Sequence, residues 1–230
     1  QAGRQQGRTQ MSNAGSDRAD AIPIDIVSDV VCPWCFIGKR HLEAALAQFE
    51  HPVSIRWLPY FLNPDTPSEG EPYRPFLERK FGGPEALEGI WSRVREAGRN
   101  VDIAFAFEKI ELRANTLAAH RLIHRTQLKG DAGASNELVE RIFYAGFCEG
   151  RFIGDPAVLA DIAAACGDDR GKTLAWLQGE AESEAVVAQE ASLRQLGISG
   201  VPFFIFNGRS AVSGAQPPEV LLDALRQSIA

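Results

Sequence analysis

The pattern of apolar and polar positions changes twice along the chain. Residues 22–31 (IPIDIVSDVV) form a short apolar run rich in β-branched residues, which predicts a buried strand. Residues 36–49 place their apolar side chains on one face at helical spacing, and a second strand is predicted from Val53 onward. The chain therefore begins with a β-α-β unit, which ends at the turn formed by Asn63 and Pro64.

The central part of the chain has mostly helical periodicity. Residues 101–112 are predicted to be irregular or extended, and Asn115 and Asp155 are predicted to cap the helices that follow them. Helices are predicted over residues 73–81, 84–98, 115–130, 135–150 and 155–167, with one long helix over roughly residues 172–196.

The pattern then returns to strands. The apolar run VPFFIF is closed by Asn207 and Gly208, a pair typical of a tight hairpin, and residues 217–229 predict a final helix. The order β-α-β, helices, β-β-α predicts one α/β sheet interrupted by a helical insertion, with both ends of the chain in one core. The predicted boundaries are a disordered tail at 1–20, an N-terminal half at 21–65, the insertion at 66–196 and a C-terminal half at 197–230.

Composition and charge exclude several classes of function. The chain has 230 residues and a formal net charge of -6, with no long basic block, so we expect no nucleic-acid partner and no membrane surface. Residues 1–20 are polar and lack apolar periodicity, which predicts disorder. They also lack the apolar core of a signal peptide, so we expect a cytoplasmic protein, in which paired cysteines are more often catalytic or metal-binding than structural.

The motif Cys32-Pro33-Trp34-Cys35 lies where the first strand gives way to the first helix. Unpaired N–H groups and the positive end of the helix dipole favour a thiolate at such a position, and thiols in C-x-x-C settings have pKa values of roughly 3.5–7.5. Pro33 suits the first helical turn because it needs no N–H partner there. Trp34 offers a large apolar surface to a substrate beside the sulfur. These properties favour a redox dithiol.

Two other interpretations of the motif stay open on the sequence alone. One is a zinc site completed by Cys148 and Cys166, although neither belongs to a second closely spaced pair. The other is a static disulfide. Cys148 and Cys166 are otherwise expected to be buried helix cysteines that behave as small core hydrophobes. His41, His120 and His124 are interpreted as surface or packing residues, and no metal site is predicted.

Four segments carry a family resemblance. DVVCPWCFIGKR, ANTLAAHRLIH, GRFIGDPAVLADIA and GVPFFIFNGRSAVSGAQPPEVLLDAL resemble the DsbA-type thioredoxin superfamily, and in particular its FrnE-like branch of cytosolic thiol–disulfide oxidoreductases. The resemblance implies a thioredoxin fold with a helical domain inserted between its halves. It also implies an exposed nucleophile at Cys32, a resolving thiol at Cys35 and a cis peptide bond before Pro202. The backbone of Val201 would then pair with a substrate peptide as an added strand.

The chain departs from the superfamily pattern in two respects. Many thioredoxin-fold proteins keep a buried acid six positions before the first cysteine, and Ile26 stands there in this chain. Strand alternation is expected to point the side chains of Asp25 and Asp29 away from the side of Ile26. A proton relay through an acid beneath Cys35 is therefore not expected. The motif also lacks the histidine of the strongly oxidising periplasmic enzymes, so we predict a weaker oxidant.

The resemblance extends to glutathione-dependent relatives, the 2-hydroxychromene-2-carboxylate isomerases and kappa-class glutathione transferases. A serine usually stands at the position of Cys32 in those proteins, so the complete C-x-x-C motif favours dithiol exchange with protein or small thiol substrates. A glutathione-dependent isomerase or transferase is the alternative. Trp91, Phe105, Phe107 and Asn115 of the insertion would supply a pocket in either case. We expect that the protein binds no cofactor and that glutathione or another thiol is its redox partner. We also expect a monomer or a weak homodimer.

Overall fold

The computed structural model describes residues 20–230, and most of the predicted N-terminal tail lies outside these residues. Strands and helices alternate at the two ends of the described chain, and helices fill its middle. The elements are, in chain order, β1 (Ile22–Ser28), α1 (Pro33–Leu46), β2 (Val53–Pro59), β3 (Glu71–Pro72), α2 (Tyr73–Phe81), α3 (Pro84–Arg99), a 3₁₀ turn (Phe107–Lys109), β4 (Leu112–Arg113), α4 (Leu117–Leu128), α5 (Ala132–Phe147), α6 (Pro156–Ala165), α7 (Arg170–Gln178), α8 (Ser183–Gln195), β5 (Phe203–Phe206), β6 (Ser210–Ser213) and α9 (Pro218–Ser228).

The central sheet has four strands in the order β2-β1-β5-β6. β1 and β2 are parallel, as a crossover through α1 requires, and β5 runs antiparallel to both β1 and β6. Ile26 lies opposite Trp57 on one side and Phe204 on the other. Strands from both ends of the chain therefore pair within one sheet, and the predicted thioredoxin fold with a helical insertion is confirmed.

The insertion shares one hydrophobic core with the sheet. Phe36 of α1 is fully buried and stacks on Phe143 of α5, with ring centroids 5.0 Å apart. Its edge also meets Phe105, at 6.1 Å. Burying a large aromatic side chain contributes about 1.5–3 kcal/mol, so Phe36 firmly joins the helix that carries the cysteines to the insertion.

The long helix predicted over residues 172–196 is wrong, because the chain breaks there into α7 and α8. Gly179 ends α7, and Glu182 has a positive φ of 64° at the start of α8. The guanidinium of Arg121 in α4 donates to the carbonyl oxygens of Trp176, Leu177, Gly179 and Ala181. A buried cation from another helix thus satisfies carbonyl groups that a continuous helix would have paired internally.

Two smaller expectations also change. β1 ends at Ser28, three residues earlier than the apolar run, because the chain turns there and the Cys32 N–H donates to the Asp29 carbonyl at 3.0 Å. Thr116 occupies the N-cap position of α4, although the side chain of Asn115 does accept from the Leu117 N–H. Asp155 caps α6 as predicted. Within the described residues, no helix combines the length and apolar character needed to cross a membrane.

Candidate active site

The two cysteines lie at the first turn of α1. Cys32 is the N-cap residue and Pro33 occupies the first helical position, as predicted from the sequence. The Cys35 N–H donates to the Cys32 carbonyl at 3.1 Å, which fixes the two residues within one turn. All four cysteines of the chain are free thiols in the structure. The positive end of the helix dipole therefore lies next to Cys32.

The two sulfurs have different surroundings. The expected exposure of Cys32 is corrected by the structure, in which this residue is only 6% exposed and Cys35 only 1%. Cys32 still reaches solvent because it lines an open cavity, whereas Cys35 lies behind it. Burial raises the pKa of Cys35 well above its ordinary value, and the neighbouring Cys32 raises this pKa further. Hydrogen bonds from the Asp29 backbone and the Ser28 side chain act in the opposite direction but do not outweigh burial.

The loop before β5 brings the other end of the chain to the dithiol. The peptide bond between Val201 and Pro202 is cis, and the Sγ atom of Cys32 lies 3.9 Å from the Val201 carbonyl oxygen. α1 approaches this loop closely at Gly38, where a Cβ atom would lie 3.1 Å from Pro202 Cγ and 3.2 Å from Phe204 Cζ. Gly38 was not among the site residues predicted from the sequence, although a glycine inside a predicted helix often has such a packing reason.

Asp29, an acid that follows the end of β1 and precedes the turn to Cys32, is buried in the structure. Because β1 ends at Ser28, strand alternation does not apply to Asp29, which is 1% exposed. One carboxylate oxygen lies 3.1 Å from Nε2 of His120 in α4, and the other accepts from the Leu62 N–H at 2.9 Å. His120 is itself buried, so it is a packing residue and not a surface residue. The position of Asp29 immediately before the turn to Cys32 was the feature that could have indicated this pair.

A cavity of about 260 Å³ opens beside Cys32, between the start of α1 and the helices α2 and α3. Trp34 lines it and is 40% exposed, which leaves an apolar ring at the entrance. Trp91 and Phe107 line the cavity as predicted. Phe105 instead stacks on Phe107 with ring centroids 5.1 Å apart, and Asn115 bonds to backbone groups outside the lining.

The remaining candidate residues lie elsewhere. Cys148 and Cys166 are half-buried C-cap residues of α5 and α6, not fully buried core residues, and burial raises the pKa of both. His124 pairs with Glu182, and His41 contacts the Gln216 carbonyl. From residue 20 to residue 230, no three His, Cys, Asp or Glu side chains are arranged to hold a metal ion. The zinc interpretation of the cysteines therefore gains no support.

Comparison with known proteins agrees with this geometry. The model of the DSBA-like thioredoxin domain family matches residues 23–226. A solved structure of a probable DsbA oxidoreductase from Streptomyces coelicolor is similar, with a TM-score of 0.82 and 30% sequence identity over 90% of each chain.

Two further solved structures share the fold at lower identity. The first is 2-hydroxychromene-2-carboxylate isomerase, with a TM-score of 0.67 and 15% identity over 89% of this chain and 95% of that chain. The second is the cytosolic disulfide reductase DsbM from Pseudomonas aeruginosa with GSH, with a TM-score of 0.61 and 17% identity over 90% of this chain and 98% of that chain. The family model and the Streptomyces structure together show that the chain belongs to the DSBA-like thioredoxin domain family of thiol–disulfide oxidoreductases.

Proposed function

We propose that this protein exchanges disulfides with protein or small thiol substrates through Cys32 and Cys35. The observation that carries the proposal is the asymmetry of the two sulfurs. Cys32 caps α1 at an open cavity, whereas Cys35 is buried and has a raised pKa. The accessible sulfur at the helix N-terminus is suited to react first, and the sulfur behind it is suited to react second.

The reaction balances as two successive displacements. The Cys32 thiolate attacks one sulfur of a substrate disulfide, so that a mixed disulfide forms and one substrate thiolate leaves. Cys35 then gives up its proton and attacks the Cys32 sulfur, which releases the second substrate thiolate and leaves a Cys32–Cys35 disulfide. A thiol reductant returns the enzyme to its dithiol form, and the reverse sequence oxidises a dithiol substrate.

Substrate contacts would come from residues on both sides of Cys32. Val201 is partly exposed and its carbonyl oxygen lies 3.9 Å from the Cys32 sulfur, which supports the proposal that its backbone, next to Pro202, pairs with an extended substrate peptide. Pro33 and Trp34 flank the sulfur on the cavity side. The exposed ring of Trp34 would bury apolar substrate surface on binding.

Glutathione is the proposed redox partner, and the cytoplasm is the proposed location. DsbM, which is described as cytosolic and was solved with GSH, shares the fold, and this likeness supports both parts of the proposal. The FrnE-like branch, the weaker oxidising power and a monomeric or weakly dimeric state remain predictions from the sequence. The ratio of oxidised to reduced enzyme in glutathione buffers of known potential would measure the oxidising power.

Reduction of insulin in the presence of dithiothreitol tests the proposed function. We expect the wild-type protein to accelerate insulin precipitation and Cys32→Ser to reduce the rate to background. Cys35→Ser should lose most activity and accumulate a mixed disulfide visible as added mass. Cys166→Ser, at a half-buried helix end away from the cavity, is the matched control and should keep full activity. A fully active Cys32→Ser variant would overturn the proposal.

The cavity favours one alternative, a glutathione-dependent isomerase or transferase, because it gives a small molecule access to Cys32. The two functions differ in their need for the second cysteine. An isomerase or transferase predicts glutathione binding and turnover that survive Cys35→Ser, whereas dithiol exchange predicts that turnover is lost. A protein that only binds unfolded clients would be indifferent to both cysteine substitutions.

A further inference from the structure

The cavity beside Cys32 has apolar walls and an unusual distribution of charge. Aromatic and aliphatic side chains of α2 and α3, among them Phe76, Leu77 and Trp91, form most of its lining. Its volume of about 260 Å³ is slightly below the roughly 300 Å³ at which sites for drug-sized ligands begin. One aromatic ring with its substituents, or a branched aliphatic group, therefore suits this space.

The charged groups that line the cavity are cationic. Lys80 and Arg113 both belong to the lining, which contains no aspartate or glutamate, although the whole chain has a formal net charge of -6. The Lys80 ammonium lies 5.9 Å from the ring centre of Phe76 and 5.6 Å from that of Phe81. Among residues 20–230, no carboxylate lies within ion-pair distance of Lys80. This arrangement favours an occupant with a negative charge.

Arg113 has a donor group that the protein does not use. Its guanidinium lies 3.5 Å from the ring centre of Phe76, and its Nε and Nη2 atoms bind Glu71. Its Nη1 atom is buried and has no hydrogen-bond partner among the described residues. A buried, unpaired donor on a charged side chain is costly, so a rotation of Arg113 that brings this donor to a ligand acceptor in the cavity would be favourable.

We propose that this cavity selects, as substrates of the dithiol, small disulfides in which an aromatic or branched apolar body carries a carboxylate. The inference rests on the proposed function and names its substrate class. The apolar body lies between α2 and α3, the carboxylate meets Arg113 and Lys80, and the disulfide lies at Cys32. No single internal protein side chain joins an aromatic body to a carboxylate, so the proposed occupant of the cavity is a small molecule, whereas a protein disulfide would reach Cys32 along the backbone of Val201.

The chemistry at the sulfur is the balanced exchange described above. Cys32 displaces one carboxylate-bearing thiolate from the disulfide and holds the other half as a mixed disulfide in the cavity. Cys35 then displaces the second thiolate, and the enzyme ends with a Cys32–Cys35 disulfide. A thiol or dithiol reductant, such as glutathione, restores the dithiol. Each cycle reduces one disulfide to two thiols at the expense of two electrons from that reductant.

Stopped-flow reaction of the reduced enzyme with two matched aromatic disulfides tests the proposal. The first is 5,5′-dithiobis(2-nitrobenzoic acid), and the second is its neutral diamide, which has the same ring and leaving sulfur. The measured quantity is the rate with the charged disulfide divided by the rate with the neutral diamide. We expect Arg113→Gln to lower this ratio roughly 10-fold, which is the effect of losing one charge-assisted hydrogen bond. Lys80→Gln should lower this ratio about 3-fold. Arg79→Gln, one residue away on the exposed side of α2, should leave it unchanged.

The apolar part of the cavity is tested with Phe81→Ala, an exposed lining residue whose loss should leave the fold intact. This variant should slow both aromatic disulfides about 3-fold relative to bis(2-hydroxyethyl) disulfide, which has no apolar body. Circular dichroism establishes that each variant is folded, and the neutral diamide is the internal reference. An unchanged ratio in both Arg113→Gln and Lys80→Gln would overturn the proposal. Failure of the proposed function has a different result, in which no disulfide reacts faster with wild type than with Cys32→Ser.

Discussion

The α/β part of the molecule and the helical insertion contact the dithiol in different ways. In the α/β part, the sulfurs are held by backbone features: Cys32 is the N-cap of α1, the Val201 carbonyl lies 3.9 Å from its sulfur, and Gly38 lets Pro202 approach. The insertion instead reaches the site through side chains, such as Arg113 in the cavity and His120 against Asp29.

This difference separates two properties of the enzyme. Backbone features decide whether the sulfurs can exchange at all, because they fix the helix end and the loop next to it. Side chains of the insertion decide what fits beside the sulfur, and they can change without moving the backbone that holds it. Substitutions in the insertion should therefore alter stability or substrate choice, whereas substitutions in the contact between α1 and Pro202 should alter the reaction of every substrate.

The largest expected effect on stability lies in the insertion, at Arg121. Arg121→Leu removes donors from four carbonyl groups at the break between α7 and α8, so the free energy of unfolding should fall by about 3–4 kcal/mol. The rate of thiol exchange per folded molecule should stay within about 2-fold of wild type. Urea unfolding and a thiol-reaction assay measure the two quantities. Arg141→Leu, which loses only an exposed pair with Glu137, should cost about 0.5 kcal/mol.

The link between the two parts, His120 and Asp29, should give the next largest effect. His120→Leu leaves a buried carboxylate without its partner, and we expect the free energy of unfolding to fall by about 2–3 kcal/mol. The double variant Asp29→Asn/His120→Leu should recover part of this loss, because the neutral amide still accepts from the Leu62 N–H. Urea unfolding of the wild type, Asp29→Asn, His120→Leu and the double variant measures the coupling. A purely additive double variant would show that the pair does not act as a unit.

Arg121 and the pair of Asp29 with His120 also show which features could not be predicted from the sequence. Periodicity and turn residues predicted the sheet, the insertion and the place of Cys32 at a helix start, because these depend on local pattern. The break between α7 and α8 depends on Arg121, which lies more than fifty residues earlier in the chain. The pairing of Asp29 with His120 was not predicted, because the two residues lie 91 positions apart in the chain. The cavity charges at Lys80 and Arg113 come from separate elements that only the folded chain brings together.

Gly38 offers a direct test of the backbone contact. In Gly38→Ala the new methyl group would lie 3.1 Å from Pro202 and 3.2 Å from Phe204, so both must move by a few tenths of an ångström. We expect the free energy of unfolding to fall by about 1–2 kcal/mol. We also expect thiol exchange to slow, by about the same factor for every disulfide. Gly89→Ala in α3 is the matched control, because a Cβ atom added there would have no atom within 4 Å. This variant should stabilise the protein by about 0.5–1 kcal/mol. Equal stability of both variants would show that Pro202 and Phe204 move aside without an energetic cost.

The smallest predicted effect is the pH dependence that burial of Cys35 gives to stability. Because burial raises the pKa of Cys35, the folded protein holds this proton more tightly than the unfolded chain does. The resulting stabilisation is complete below the ordinary thiol pKa of about 8.5 and is lost as the pH rises towards the folded-state pKa.

Unfolding of the fully reduced protein should therefore become about 1 kcal/mol easier between about pH 8.5 and about pH 9.5 because of this group alone. Burial also raises the pKa of Cys148 and Cys166, so the measurement uses a Cys148→Ala/Cys166→Ala background. Tyr73, whose pKa is raised by burial as well, is half-titrated in the unfolded chain only near pH 10, so it contributes only about 0.1–0.2 kcal/mol to the change up to pH 9.5. Adding Cys35→Ala should flatten the slope, whatever it does to absolute stability. An unchanged slope would show that Cys35 has the same pKa in the folded protein as in the unfolded chain. The difference between the two sulfurs would then need another cause.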